Sequence, residues 1–191
     1  SQPESWTVGR LLEWTADYLK ERGADSPRLD AEVLLAKALK CERIELYTAF
    51  ADVVDEGPRG VFRELVKRRA EGAPVAHLVG QREFYSLSFR VTPDVLIPRP
   101  ETEFLVVKLL DLIAQRKDEV KGGGPMKICD VGTGSGIIAI AVAVRMPDAE
   151  LTAVDVCPKA LEVARENARE HGVEDRIEFI QSDLFEALPA D

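Results

Sequence analysis

The segment Lys127-Ile128-Cys129-Asp130-Val131-Gly132-Thr133-Gly134-Ser135-Gly136-Ile137 carries the clearest structural pattern in this chain. An apolar run typical of a β-strand, Ile128–Val131, ends at three glycines spaced two residues apart, and a helical apolar pattern starts at Ile137. The segment therefore predicts a strand, a tight turn and a helix. Its glycines permit positive φ and a close approach of the backbone to a ligand. Such a turn lies at the carboxyl end of its strand, where open α/β sheets bind ligands.

Two acidic residues near this turn narrow the choice of ligand. The glycine spacing differs from the dinucleotide fingerprint, and no Gly-Lys-Ser/Thr follows. Asp130 would repel a pyrophosphate but suits an ammonium group, and Asp155 ends a second predicted strand about 20 residues after the first glycine, as a ribose-binding carboxylate does. An ammonium group together with a ribose predicts S-adenosyl-L-methionine, bound by Asp130, Gly132, Thr133, Gly134, Ser135, Gly136 and Asp155. The alternative is a turn that serves only strand-to-helix packing, with Asp155 as a helix N-cap.

A third predicted strand, Ile177–Ile180, completes the order β-α-β-α-β, which requires a parallel sheet with right-handed crossovers. Asp183 follows this strand and precedes Leu184 and Phe185. We expect the Asp183 carboxylate to bind the exocyclic amine of an adenine, with the two apolar side chains against the ring. The alternative is an ordinary loop with a helix N-cap.

The first 72 residues have the apolar periodicity of amphipathic helices. Ser26 and Pro27 mark one helix start, and Asp52–Gly60 reads as a loop. These helices carry no clustered polar chemistry, so the bundle indicates recognition or scaffolding. The four predicted helices cover about residues 5–22, 27–40, 43–50 and 60–71.

The chain changes character between residues 77 and 97, where the run Phe84–Val91 predicts a β-hairpin or a bent strand pair. Two prolines then fix an extended loop over Ile97–Glu103. A helix follows to about Arg116, with acidic residues favourable to its dipole in the first turn. The glycine-rich stretch Lys117–Pro125 predicts a flexible link.

Composition excludes several classes of function. The formal net charge of −9 and the single basic cluster Lys67–Arg69 disfavour a direct nucleic-acid partner. No apolar run is long enough to span a membrane. Three distant cysteines favour free thiols in a reducing cytoplasm, and two isolated histidines give no metal site. The cysteines and histidines are Cys41, Cys129, Cys157, His77 and His171.

Taken together, these segments resemble the HemK/PrmC family of protein-(glutamine-N5) methyltransferases, which modify translation termination factors. The resemblance extends over the whole chain. Its most specific part is Ile97-Pro98-Arg99-Pro100-Glu101-Thr102-Glu103 beside a helical N-terminal domain. Further support comes from Arg28–Leu35, Gly72–Gly80 running into Glu83-Phe84, Asp130–Gly136, Ala153–Asp155 and Gln181–Asp183.

The resemblance implies an α/β fold with a class I (Rossmann-like) S-adenosylmethionine-dependent methyltransferase sheet, here only its first half, after a small all-α bundle. The expected domains are a release-factor-docking domain over 1–72, a linker with the β-hairpin over 73–97, and the methyltransferase half over 98–191. The implied reaction is methylation of the glutamine in the Gly-Gly-Gln motif of release factors. The implied substrate-side loop contains Pro98, Arg99, Glu101 and Thr102, and the implied adenine site contains Asp183 and Leu184.

One family motif, Asn-Pro-Pro-Tyr, is absent from these 191 residues. In the family, its Asn and a Pro carbonyl hold the target amide nitrogen. We therefore expect a piece of a longer protein that is inactive alone, with its catalytic residues unknown, and we expect a monomer. The alternatives are a glutamine methyltransferase of a ribosomal protein, a nucleic-acid amine methyltransferase, and a non-catalytic cofactor-binding module.

Overall fold

The computed structural model describes residues 5–116 and 125–188. The chain divides into two compact units, Ser1–Val79 and Gly80–Asp191. The predicted roles of residues 1–72, 73–97 and 98–191 stay predictions. The predicted glycine-rich link over Lys117–Pro125 lies, apart from Pro125, outside the described residues. Every helix within the described ranges is too short or too polar to cross a membrane.

The first unit is helical in its described part, and its helices enclose one apolar core. Leu12, Leu34, Leu35 and Phe62 are among the side chains at the centre of that core. Amphipathic helices stabilise such a unit mainly by burying their apolar faces. The helices are α1 Val8–Lys20, α2 Pro27–Leu39, α3 Glu45–Thr48, α4 Glu56–Ala70 and α5 Val75–Val79.

Three features of this unit differ from the prediction. Helix α4 begins at Glu56, so Gly57 and Pro58 lie in its first turn and the predicted loop is shorter. Proline is tolerated there because the first backbone N–H groups of a helix have no intrahelical acceptor. Ser26 occupies the predicted N-cap of α2 but makes no side-chain cap hydrogen bond. The short helix α5 was not predicted.

The second unit begins with the predicted β-hairpin. Strands β1 Gln81–Phe84 and β2 Leu87–Arg90 pair antiparallel. Tyr85 and Ser86 form the connection, with φ of 52° and 61°. Two-residue hairpin turns with positive φ at both positions match the twist of the strands. Helix α6, Thr102–Arg116, follows as predicted.

The rest of the second unit alternates strands and helices as the sequence predicts. Its parallel sheet has the order β3-β4-β5, and the carboxyl ends of the three strands therefore share one edge. Helices α7 and α8 pack against one face of the sheet, where Leu151, Ala153 and Ile177 are buried. The elements are β3 Lys127–Val131, α7 Ile137–Arg145, β4 Glu150–Asp155, α8 Pro158–Glu170, a 3₁₀ helix Glu174–Arg176 and β5 Ile177–Gln181.

Candidate functional site

Residues 132–136, the glycine turn, connect β3 to α7. All three glycines have positive φ, from 55° to 82°. The N–H groups of Gly132 and Thr133 both donate to the Val154 carbonyl, at 2.8 and 2.9 Å, which fixes the turn to β4. A Cβ at Gly136 would lie 2.9 Å from Ile140 Cδ1 and 3.1 Å from the Cβ of Ala164. Only glycine fits this position, because the turn lies directly against α8.

Asp130 lies near the end of β3, and its carboxylate is hydrogen-bonded to the glycine turn and to the start of α7. Its Oδ2 accepts hydrogen bonds from Thr133 Oγ1 at 2.7 Å and from the Ala139 N–H at 3.2 Å. Burial raises the pKa of Asp130, and the nearby Asp155 acts in the same direction, whereas the two hydrogen bonds act against this rise. A cation placed beside Asp130 would therefore relieve an unfavourable buried charge.

Asp155 ends β4, and its carboxylate connects two loops. Oδ2 accepts from the Gly134 N–H and Oδ1 accepts from the Cys157 N–H, both at 2.9 Å. A carboxylate has about four acceptor positions, so each oxygen can still accept a hydroxyl. Asp155 thus holds two loops in place and can still accept hydrogen bonds from a ligand at the sheet edge.

The polar side chains of the glycine turn are buried. Thr133 is 4% exposed and Ser135 is 2% exposed. The Thr133 hydroxyl is already used on Asp130. A ligand at this turn would therefore meet backbone groups rather than hydroxyls.

A cavity of about 400 Å³ opens beside the carboxyl ends of β4 and β5. Ser182 closes one side, since its N–H donates to the Asp155 carbonyl at 3.1 Å. Asp183 and Leu184 follow it and are exposed, and Leu184 has a φ of 50°. Val156 also lines the cavity, with 64% of its surface exposed. An acid and apolar side chains at one cavity suit a purine ring.

The predicted substrate-side loop leads into α6. Pro98 is buried, whereas Arg99 and Glu101 are exposed. The Thr102 N–H donates to the Arg99 carbonyl at 3.0 Å, so a turn joins the loop to the helix. Glu103 accepts from the Tyr85 N–H at 2.9 Å and ties α6 to the hairpin turn.

Sequence reasoning missed two residues that the structure brings into this region. Val156 had a usable signal, because it directly follows the acid that ends β4. Asn167 had none, because a polar residue in a helix normally indicates a solvent-facing position, yet it is fully buried. Within residues 5–116 and 125–188, no cluster of three metal-ligating side chains occurs.

The parallel sheet, the glycine turn and the two strand-end carboxylates define the class I methyltransferase fold, whose members use S-adenosyl-L-methionine. The residues present fit this cofactor. The partly buried Asp130 would be stabilised by a cationic ammonium group, and Asp155 retains acceptor positions for the ribose hydroxyls. Residues 10–80 match the PrmC N-terminal domain, and residues 124–191 match a methyltransferase domain. The chain therefore combines a PrmC N-terminal domain with a methyltransferase domain, and the predicted resemblance to the HemK/PrmC family is confirmed.

Named relatives agree with these domain matches. The chain is 52% identical over its whole length to a release factor glutamine methyltransferase of Rhodopirellula baltica and spans 64% of that protein. It is 40% identical over 97% of its length to the enzyme of the same name from Chlorobaculum tepidum and spans 63% of it. A solved RNA methyltransferase from Salinibacter ruber, in complex with S-adenosyl-L-homocysteine, is 33% identical over 49% of this chain and 53% of its own, with a TM-score of 0.37. That structural likeness is too limited to bear on function.

Proposed function

We propose that this protein methylates the side-chain amide nitrogen of the glutamine in the Gly-Gly-Gln motif of peptide chain release factors. S-adenosyl-L-methionine supplies the electrophilic methyl group. The observation that carries the proposal is the 52% identity to a release factor glutamine methyltransferase, which extends over every residue of this chain. The geometry of the glycine turn and its two acids is consistent with that activity.

The cofactor contacts are assigned to residues at one edge of the sheet. Asp155 would accept the ribose hydroxyls with the lone pairs that Gly134 and Cys157 leave free. Asp130 would face the ammonium group, and the backbone of Gly132–Gly136 would border the methionine half. Asp183 would bind the adenine in the cavity that it lines together with Val156, and Leu184, the next residue, would flank the ring.

The first unit and the substrate-side loop are assigned to the protein substrate. Helices with no chemical cluster of their own fit a docking role. Arg99 and Glu101 are exposed and would face the release factor, with Pro98 and Thr102 holding the loop. The proposal also includes that the protein is a monomer, that it acts in the cytoplasm, and that it binds neither nucleic acid nor a membrane directly.

The test has two stages. Calorimetry with S-adenosyl-L-methionine on the 191-residue chain measures cofactor binding. Labelled cofactor is then incubated with the chain and purified release factor, with the Rhodopirellula baltica relative as the positive control. A release factor whose motif glutamine is changed to alanine is the matched negative substrate.

Each outcome decides between the functions considered. Label that appears on the motif glutamine in the presence of this chain, and not on the alanine substrate, supports the proposal. Label on a ribosomal protein or a nucleic acid instead supports one of the alternative methyltransferases. Cofactor binding with no transfer to any substrate, by this chain or by a longer protein that contains it, supports a cofactor-binding module. Absence of cofactor binding removes the proposal.

A further inference from the structure

Asn167 of α8 is fully buried, and its side-chain amide donates two hydrogen bonds and accepts one. Nδ2 donates to the Ser135 carbonyl at 2.8 Å and to the Arg90 carbonyl at 3.1 Å. Oδ1 accepts from the Arg90 N–H at 2.7 Å. One side chain thus joins the glycine turn to the β-hairpin, two segments separated by more than forty residues in the sequence.

The hairpin side of this connection has the form of strand pairing. A side-chain amide presents one donor and one acceptor in the same relation as a peptide group. Asn167 therefore pairs with both backbone groups of Arg90, as a neighbouring strand would. The Arg90 N–H and carbonyl lie on the outer edge of β2, and without Asn167 they would be polar groups left unpaired inside the unit.

Other contacts show that the segment 88–94 follows α8 along its length. The Ser88 carbonyl lies 2.8 Å from His171 Nε2 at one end of the helix. Asp94 forms an ion pair with Lys159 at the other end, at 3.4 Å. The two spans are compatible, because twelve helical residues cover about 18 Å and six residues can reach at most about 20 Å when fully extended. The end of the segment turns at Pro93 and Asp94. The segment therefore ends close to the start of α8, just after Asp155.

The glycine-turn side of the connection acts on a single peptide group. The Ser135 carbonyl and the Gly136 N–H belong to the same peptide, and that N–H donates to Thr133 at 2.9 Å. Gly136 has a φ of 82°, and a Cβ added there would lie 3.1 Å from the Cβ of Ala164 of α8. Loss of the Asn167 donor would leave this peptide held by one hydrogen bond instead of two.

We propose that Asn167 is a positioning residue, which holds the Ser135–Gly136 peptide of the glycine turn and the hairpin strand in one register on α8. In this register, segment 88–94 ends near the start of α8. That segment leads to the substrate-side loop, and the proposed cofactor site lies at this end of the helix. The functional meaning of the register rests on the proposed function, whereas the register itself is a property of the chain without ligand.

The experiment measures amide hydrogen exchange by NMR on the ligand-free chain, with the amides of β4 as the internal reference. In Asn167→Ala, exchange at Gly136 and at Arg90 is expected to be about tenfold faster relative to β4. The Arg90 N–H loses its acceptor, and the Ser135–Gly136 peptide loses the donor that holds its carbonyl. Asn167→Asp keeps the acceptor for Arg90 but cannot donate when ionised. It is expected to restore protection at Arg90 and not at Gly136. Glu166→Gln, which removes only the exposed ion pair to Arg90, is the control and leaves Gly136 unchanged.

Uniform acceleration in both Asn167 variants, or no change at Gly136, overturns the proposal. If neither variant folds, the unaltered protein decides: both Asn167 Nδ2 protons must exchange slowly, and rapid exchange of either one overturns it. A separate titration with S-adenosyl-L-homocysteine distinguishes the two hypotheses. Failure of the unaltered chain to bind removes the proposed function but leaves the ligand-free result on Asn167 in force.

Discussion

The carboxylate of Asp155 accepts a hydrogen bond from the backbone N–H of Gly134 at 2.9 Å. The end of β4 thereby holds the middle of the glycine turn at the end of β3. Because the second Asp155 oxygen accepts from Cys157 at the start of α8, three elements meet at one side chain. The acid predicted to bind a ribose therefore also shapes the site.

Asp155→Ala is expected to weaken S-adenosyl-L-methionine binding at least tenfold and more than Asp130→Asn does. The variant loses acceptors for two hydroxyls, and hydrogen bonds to a charged group contribute roughly 1.5–3 kcal/mol each. Calorimetry gives both affinities. The affinity of Asp155→Asn, which retains one acceptor oxygen, should lie between those of Asp155→Ala and Asp130→Asn. An unchanged affinity in Asp155→Ala would remove this residue from the cofactor site.

Binding of S-adenosyl-L-methionine is expected to weaken as the pH falls through the raised pKa of Asp130. Burial is the main cause of that rise, and an ammonium group binds the ionised form. Titrations at several pH values between about 4 and 7 measure the effect, since the ordinary pKa of an aspartate lies near 3.9. Asp130→Asn should bind with a much smaller pH dependence.

The same pKa has an opposite consequence for stability. An acid with a raised folded-state pKa destabilises the fold when it is ionised, and this cost disappears as the pH falls below the unfolded-state value. Asp130→Asn should therefore keep or increase the melting temperature at pH 7. A clear loss of stability would mean that the ionised form contributes more through Thr133 and Ala139 than burial costs.

Gly136→Ala is expected to lower the stability of the second unit by about 1–3 kcal/mol and to weaken cofactor binding. The alanine would have to adopt the φ of 82° that Gly136 has, which costs free energy for a residue with a Cβ. Its methyl group would also lie 2.9 Å from Ile140 Cδ1. Gly132→Ala is the matched control, because it shares a positive φ but has no atom within 4 Å of the new Cβ. Equal losses in the two variants would show that backbone strain alone matters and that close contact with α8 does not.

Glu32→Ala is expected to lower the unfolding free energy of the first unit by about 2–3 kcal/mol. The Glu32 carboxylate is 4% exposed and accepts from Arg28 at 2.9 Å, Arg43 at 3.1 Å and Tyr47 at 2.7 Å. Such charge-assisted bonds are stronger than neutral ones. Both tryptophans, Trp6 and Trp14, lie in this unit, so their fluorescence follows its unfolding by urea in the full chain.

The control for Glu32 is Glu56→Ala, which removes exposed ion pairs to Arg59 and Arg63 and should change stability by less than about 1 kcal/mol. Burial raises the pKa of Glu32, but the hydrogen bonds from Tyr47, Arg28 and Arg43 outweigh it and lower the pKa overall. The stabilisation is therefore present above the unfolded-state pKa and is lost as the pH falls through the folded-state value. Glu32→Ala should lack that acid-dependent loss.

A chain that begins at Gly80 is expected to keep cofactor binding and to lose affinity for release factor. The buried cores of the two units share no residue, and the site residues all lie after Gly80. Calorimetry with cofactor and with release factor separates the two effects. Unchanged affinity for release factor would contradict a docking role for the first unit.

Local patterns predicted the second unit well because each of its elements carries its own signal. The change from an apolar strand to alternating glycines and then to a helical period fixed β3, the turn and α7. Pro158 and Gly172 marked the limits of α8 within one or two residues. The start of α4 was missed because Gly57 and Pro58 resemble a loop, although a first helical turn accepts both.

Long-range hydrogen bonds were beyond the reach of sequence patterns. Nothing near Asn167 indicates that its amide pairs with Arg90, since the two residues meet only through tertiary packing. The pairing of Asp155 with Gly134 likewise depends on the order of β3 and β4 in the sheet. Sequence identified which acids stand at strand ends, and the structure shows which backbone groups they already bind.

The convergence of three elements on Asp155 restricts how the site can be redesigned. A change of this residue to accept an altered sugar would also release Gly134 and Cys157, so specificity and folding cannot be separated there. Val156 offers a better position, because its side chain is 64% exposed at the neighbouring cavity and holds no loop in place. Engineering toward cofactor analogues with enlarged purines should therefore begin at Val156 and leave the acid beside it unchanged.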